Sequence, residues 1–515
     1  MKLNIIKYIN TCFIPLIACA LVFGIFSYIQ PYWLDSLPFQ RNLHGICGDS
    51  LTINGYAEYY LYELHSDNGR IFNLMSPLLM DYLPKWLDGA LVGLMASLML
   101  WAMGKLIGLW RTEGTLWRGL FMLMFLCLPW SNNLLVPVYS LNYIYPTACS
   151  LTAIYLSLRP GRLNTAGAFV SAVLGAWGHE GIGGILVAGA VPMILLVKQF
   201  GRYGILYAIS AVGTAVAVVL FFTSLLLDRL PYEIDAAWMV HDVKKWLMFN
   251  FFTVSLIVML VACVCRKSWR DWLVEKVRDN PMVVYFFSLS MAGMMLSGIT
   301  RPSYRVTFWP QVCAMVTWGI VLLPVMRRNI GLLRPMAWCL GTVCAFLVVG
   351  EIWVGSQFSQ SYECAQVQLF NSQCNTAYVK MLHPASYPKW ITRFAPRYMF
   401  VDYYQIRFLS YWYDRDVAIV PEELRGVNTS IPSDSIVTFT SGISYFRPSQ
   451  KVDIEFNIIG NVYTPEGICY GEPLSVINFQ AEDGNLMTWV QPLYIPLEEV
   501  VGIDADLSQM YKNNR

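Results

Sequence analysis

A small set of residues in this chain has the side-chain chemistry to act on a substrate. Asp49 opens a polar, aromatic stretch, residues 49–70, that lies between two long apolar runs. A carboxylate beside a membrane can take the proton from an attacking hydroxyl, and Asp35, Glu58, Glu63 and Asp67 compete with Asp49 for that role. Tyr56, Tyr59, Tyr60 and Glu63 recur at spacings of three and four. That spacing predicts a helix in the membrane interface, either a support or a substrate platform. Asp67-Asn68-Gly69-Arg70 reads as a turn that delivers an arginine. Its guanidinium can fork a phosphate or pair with Asp67 on the surface. His179-Glu180 sits between two apolar runs, flanked by Gly178, Gly181, Gly183 and Gly184. Ionisable groups at such a place mark either a function or a buried pair, here of Glu180 with an arginine. Arg301 and Arg305 form a further basic corner, suited to a lipid phosphate or to an acidic partner. Asn142-Tyr143 and Tyr145-Pro146 open an apolar run after the break at Ser131-Asn132-Asn133. They either line the same cavity or serve only to start a helix.

The elements that must position these groups are membrane helices. Of 515 residues, 56% are hydrophobic and only 14% charged, against about 25% charged in soluble proteins. The net charge of +2 gives no field for nucleic acid. The first apolar run, Ile5 to Ile29, is too long for a cleaved leader's core and ends without a small-residue site, so it reads as a retained anchor. Further runs fall near Trp86–Trp110, Leu116–Trp130, Asn142–Leu158, Thr165–Trp177, Gly181–Val197, Tyr203–Leu227, Phe249–Cys265, Pro281–Ile299, Val306–Val325 and Gly331–Val354. The expectation is an all-α polytopic bundle of about eleven crossings. Lys and Arg favour one set of loops by roughly two to one, which puts the N-terminus inside and the tail outside.

Residues 1–355 then form a transmembrane domain with a long first outer loop, 30–85, and residues 356–515 a small extracytoplasmic domain. The tail reads as helical or irregular from Ser361 to Arg415. It then alternates with period two over Ser435–Thr440 and Val452–Phe456, which predicts some β structure. Most of the 13 cysteines lie in apolar runs. Of those outside, Cys364 and Cys374 are the nearest pair, either bridged or free.

No phosphate-binding glycine loop, His-Glu-x-x-His or paired Cys-x-x-Cys is present, and no metal-ligand cluster stands out. The order of the remaining features resembles bacterial multi-spanning proteins of unknown function that look like GT-C glycosyltransferases. These features are one span, an outer loop with an acid, an Asn-Gly-Arg turn, an Asn-Tyr at a later span start, an acid after His, and an outer Arg. The resemblance covers about residues 1–355. It implies a polyprenyl-phosphate-linked sugar as donor substrate, a glycan acceptor, and a site at the outer face of a bacterial inner membrane. It implies Asp49 as base and Glu180 as a second acid, with Arg70, His179, Arg301 and Arg305 holding the phosphate. In that family the acid follows close behind the first span, which keeps Asp35 beside Asp49 as the working acid. The rival readings are a transporter or flippase of lipid-linked glycan, and a non-catalytic membrane scaffold.

Overall fold

The computed structural model describes residues 12–508 apart from 33–35, 49–50, 67–68, 110–112, 129–131, 198, 225–242, 300–304, 373, 381, 389–408 and 451–457. It divides into two compact units. One comprises residues 1–28 and 43–346, the other residues 29–42 and 347–515. The division departs from the expected boundary at 355. It falls inside one long helix, and the first part of the loop 30–85 groups with the C-terminal unit.

The first unit is helical because apolar runs in lipid must satisfy every backbone polar group within the segment. In chain order its helices are α1 (Ile14–Ile29), α2 (Ser36–Cys47, shared with the second unit), α3 (Ile53–Ser66), α4 (Ile71–Asp81), α5 (Lys85–Ile107), α6 (Gly114–Cys127), α7 (Tyr145–Ser157), α8 (Arg162–Gly178), α9 (Glu180–Gly184), α10 (Leu186–Val197), α11 (Phe200–Thr223), α12 (Val243–Phe249), α13 (Phe251–Cys265), α14 (Lys267–Asp279), α15 (Met282–Ile299), α16 (Phe308–Arg328) and α17 (Ile330–Ser372), the last continuing into the second unit.

Among the described residues five helical segments are long and apolar enough to cross a membrane: Lys85–Ile107, Glu180–Val197, Gly201–Thr223, Phe308–Arg328 and Ile330–Phe370. A sixth arises if Lys267–Asp279 and Met282–Gly298, bent by 104°, count as one span. The sequence pattern led to about eleven crossings. The difference comes from short helices. Gly114–Cys127, Phe251–Cys265 and Arg162–Gly178 have 14, 15 and 17 residues, below the roughly 20 that a straight crossing needs, and part of the run Ile5–Ile29 lies outside the described residues. The run Asn142–Leu158 is divided between a π-turn and α7.

Helix α1 crosses α5 backbone to backbone. A Cβ on Gly93 would lie 2.2 Å from the Ala20 carbonyl oxygen, and one on Gly89 would lie 2.7 Å from that of Gly24. Ala20 and Gly24 on one helix thus face Gly89 and Gly93 on the other, each pair four apart, the small-residue packing that lets membrane helices approach closely.

The second unit holds a parallel pair, β1 (Thr376–Val379) with β2 (Ala418–Pro421), and a six-stranded antiparallel sheet of order β3-β4-β7-β6-β5-β8. The sheet strands are β3 (Val437–Thr438), β4 (Ser444–Phe446), β5 (Ile458–Thr464), β6 (Gly467–Gln480), β7 (Leu486–Pro492) and β8 (Gly502–Ala505). Both faces of its centre are covered. Trp489, Tyr445, Ile477 and Phe479 form one core, and Val462, Leu474, Val476 and Val490 the other. Of the alternation at Ser435–Thr440 only two residues enter a strand, because the chain turns immediately after them. The Gly442 N–H donates to the Phe439 carbonyl, at φ +82°, and a Cβ there would lie 1.7 Å from the Leu497 carbonyl oxygen. Val452–Phe456 lies outside the described residues. Cys364 and Cys374 are separate thiols. Arg41 anchors the start of α2 to this unit through the Asp414 carboxylate at 3.0 Å and the Tyr411 ring at 4.2 Å.

Candidate functional site

The helical unit has one conspicuous irregularity. Two short helical turns, Asn132–Leu135 and Pro137–Tyr139, lead into a π-turn, Ser140–Ile144, before α7 begins. Pro146 at the second position of α7 has no N–H to offer the preceding turn, so an irregular start is built into the sequence. π-Turns recur at functional sites because the extra residue re-aims the side chains around it. Here Ser140, Leu141, Asn142 and Ile144 are buried, and Tyr143 and Tyr139 each contact a residue that the sequence singled out.

The Tyr143 ring centroid lies 4.9 Å from that of His179. His179 is the extended link between α8 and α9, at φ −160° and ψ 111°. Its Nδ1 accepts the Gly181 N–H at 3.1 Å, so the proton of the neutral ring resides on Nε2. The Arg305 guanidinium lies 4.2 Å from the Tyr139 ring centroid, a cation–π contact.

Arg70 reaches the next residue of the link. Its Nε donates to Glu180 Oε2 at 2.7 Å, and its Nη2 donates to Oε1. This is a two-bond fork, with both side chains largely buried. Close packing seats this link against the neighbouring helices. Gly69 takes φ +60° against Leu64, and its carbonyl accepts the Trp177 indole N–H at 3.2 Å. Gly178 leaves room for Phe72 and Pro146, which a Cβ would meet at 2.5 and 2.7 Å. Tyr60 packs against Trp177 at 6.3 Å, and the Tyr56 hydroxyl donates to the Leu74 carbonyl at 2.6 Å. Burial raises the Tyr56 phenol to about 12. Helix α3 therefore turns Tyr56, Tyr59, Tyr60 and Glu63 towards the protein and leaves Ile53 and Leu61 exposed. It is a support whose outer face mixes Ile53 and Leu61 with Asn54, Glu58 and His65, rather than an open tyrosine platform.

The structure thus brings together Arg70, Asn142, Tyr143, His179, Glu180 and Arg305 around the segment 137–145. Asp49, Arg301, Asp35 and Asp67 lie outside the described residues. Glu58 is exposed and Glu63 buried. The pairing open to Glu180 is resolved in favour of Arg70.

No family model, curated protein or solved structure matches this chain.

Some participants went unnoticed in the sequence. Tyr139 and Trp177 are aromatic residues at the ends of apolar runs, where a membrane interface alone would explain them. Asp88 is the clearer miss. It is a carboxylate only two residues into the run Trp86–Trp110, and it is 1% exposed. At the end of α4, Asp81 meets His44 Nε2 at 3.1 Å. Burial raises the Asp81 carboxyl to about 6, against the opposing pull of His44. Among the described residues no group of three or more His, Cys, Asp or Glu could hold a metal ion.

The other end of the unit carries a second ion pair. Arg327 binds Glu113 and donates to the Gly108 carbonyl at 2.9 Å. Gly108 closes α5, whereas Asp88 lies in its first turn. The 20 residue steps from one to the other span about 30 Å, the thickness of a bilayer core.

Proposed function

We propose that this chain is an integral membrane glycosyltransferase that moves a sugar from a polyprenyl-phosphate-linked donor to an acceptor of the cell envelope. The observation that supports this reading is the convergence of Arg70, His179-Glu180, Asn142-Tyr143 and Arg305, distant in sequence, on one buried irregular turn. In the proposed reaction an acceptor hydroxyl attacks the anomeric carbon and the lipid phosphate leaves. Asp49 takes the hydroxyl proton. Arg305 and the Nε2–H of His179 meet charge as it develops on the leaving phosphate. Arg70 reaches that phosphate only by sharing or releasing Glu180. The finer topology belongs to the same proposal: about eleven crossings in a bacterial inner membrane, N-terminus cytoplasmic, tail outside.

The test is transfer of radiolabelled sugar from polyprenyl-phosphate donors by the full chain in nanodiscs. His179→Ala and Arg305→Ala are expected to lower product formation at least tenfold, and Asp49→Asn to abolish it, each with normal membrane insertion. Wild-type turnover in all three would overturn the reading.

A second reading, a transporter or flippase of lipid-linked glycan, is favoured by two buried carboxylates within candidate spans, Asp88 and Glu351. Movement of a fluorescent lipid-linked glycan across the bilayer without sugar transfer would select it.

A further inference from the structure

Asp88 lies in the first turn of α5 with its carboxylate enclosed by protein. Neither oxygen has a full hydrogen bond. Oδ1 is buried with no partner. Oδ2 lies 3.5 Å from the Ser27 hydroxyl of α1, well beyond the usual 2.7–2.8 Å. That hydroxyl has one proton, and the Leu135 carbonyl at 3.0 Å is the nearer acceptor. Ser27 therefore divides one proton between two acceptors and gives Asp88 only the longer contact. The Tyr145 hydroxyl, within electrostatic reach of Asp88, is also buried without a partner.

The surroundings supply some positive potential but no contact that completes the carboxylate. The N-terminus of α5 favours negative charge by a fraction of a kcal/mol. Lys85, one turn earlier, acts on Asp88 electrostatically, with its ammonium 5.6 Å from the Tyr28 ring centroid. A bare buried carboxylate is strongly disfavoured, so this one calls for a positive charge in direct contact. The oxygens available are hard ligands from three segments: Asp88, Ser27 and the Leu135 carbonyl. Their spacings of 3.0 and 3.5 Å match the edges, about 3.4 Å, of a site with metal–oxygen bonds near 2.4 Å. A single carboxylate balances a single charge.

We propose that Asp88, Ser27 and the Leu135 carbonyl form an intramembrane site for one monovalent cation, a proton or a sodium ion. The proposal stands on these residues alone and does not depend on the glycosyltransferase reading.

A hydrophobic carbodiimide tests it on the full chain in nanodiscs, since this reagent attacks carboxyls that are protonated in an apolar setting. Adducts are mapped by mass spectrometry in sodium-free buffer with a bulky organic cation, and again with added sodium chloride. A modified Asp88 is expected, and Asp88→Asn should carry no adduct at that position. A proton site gives a labelling rate that falls up to tenfold per pH unit as pH rises and ignores sodium. A sodium site gives labelling that added sodium suppresses by about tenfold or more, together with a rise in melting temperature that potassium does not produce. Ser27→Ala should weaken that protection while leaving Asp88 reactive. Absence of Asp88 labelling in both buffers across the pH range, or labelling indifferent to both pH and sodium, would overturn the proposal.

Discussion

Two ends of the helical unit use the same pair of residue types for different ends. Near α4, Arg70 forks Glu180 beside a stacked Tyr143–His179 pair and a π-turn. Near the close of α5, Arg327 holds Glu113 and a helix-terminal carbonyl. The second arrangement is complete as a structural clasp: it ties the N-cap of α6 to the last turn of α16 and satisfies an exposed helix end. The first has neighbours that a clasp does not require, among them a histidine whose Nε2–H is left as a donor and an asparagine whose buried Oδ1 lacks a partner. An ion pair alone is weak evidence of a functional site. What surrounds it carries the argument.

Substitutions can break that contrast. Glu180→Ala should have the largest effect, because it leaves Arg70 buried without its carboxylate. A loss of about 3–5 kcal/mol is expected, read as a lower melting temperature in detergent, together with loss of the proposed sugar transfer. Equal melting temperatures for Glu180→Ala and wild type would show that the pair is not desolvated as described. Arg327→Ala should cost about 1–3 kcal/mol by removing the guanidinium that pairs with Glu113, while the proposed transfer per folded molecule stays unchanged. Loss of transfer there would erase the distinction between the two ends.

A pH titration sharpens the contrast further. The Asp81 carboxyl is raised from 3.8 to about 6 in the fold. The folded chain therefore binds the proton more readily than the unfolded one between those values. The contribution to stability is full below pH 3.8 and is lost as pH rises through 6. Asp81→Asn should flatten the stability profile in that window; an unchanged slope would assign it to other groups. His383 in the C-terminal unit works in the opposite sense. Burial lowers its pKa below 6.5, although the Pro492 carbonyl opposes the shift. Its contribution is present above 6.5 and is lost as pH falls, which His383→Gln should blunt. The smallest effect should come from the exposed Arg41–Asp414 pair, where Asp414→Ala is worth about 0–1 kcal/mol. A larger loss would mean that α2 depends on that contact far more than its exposure implies.

Much of this was legible from residue types. The apolar runs announced helices, and the break at Gly178-His179-Glu180 is where α8 gives way to α9. The positive φ of Gly69 was readable from Asn-Gly, and the pairing of Glu180 with an arginine was one of two outcomes that its place between apolar runs allowed. What stayed hidden depends on neighbours from other segments. The choice of Arg70 as that partner, the ring contacts of Tyr139 and Tyr143, and the orphaned Asp88 oxygen have no local signature. The count of long helices among the described residues, five or six against about eleven apolar runs, differs for another reason. Hydropathy sums a run without registering where a π-turn or a short helix interrupts it, as at Ser140–Ile144. In the tail, period-two alternation pointed to the two residues of β3, but the long strands β6 and β7 are buried on both faces at their centre and so lack the alternation that would have revealed them.

The glycine contact between α1 and α5 has a bearing on how the first helix can be engineered. Ser27 is three residues beyond Gly24, and Asp88 immediately precedes Gly89, so the meshing of the two backbones also sets the depth and rotation at which hydroxyl meets carboxylate. An unrelated hydrophobic leader of equal length would still tether the polypeptide to the bilayer. It would deliver a different side chain to that position, and a graft that preserved hydropathy alone would take the hydroxyl from beside the acid.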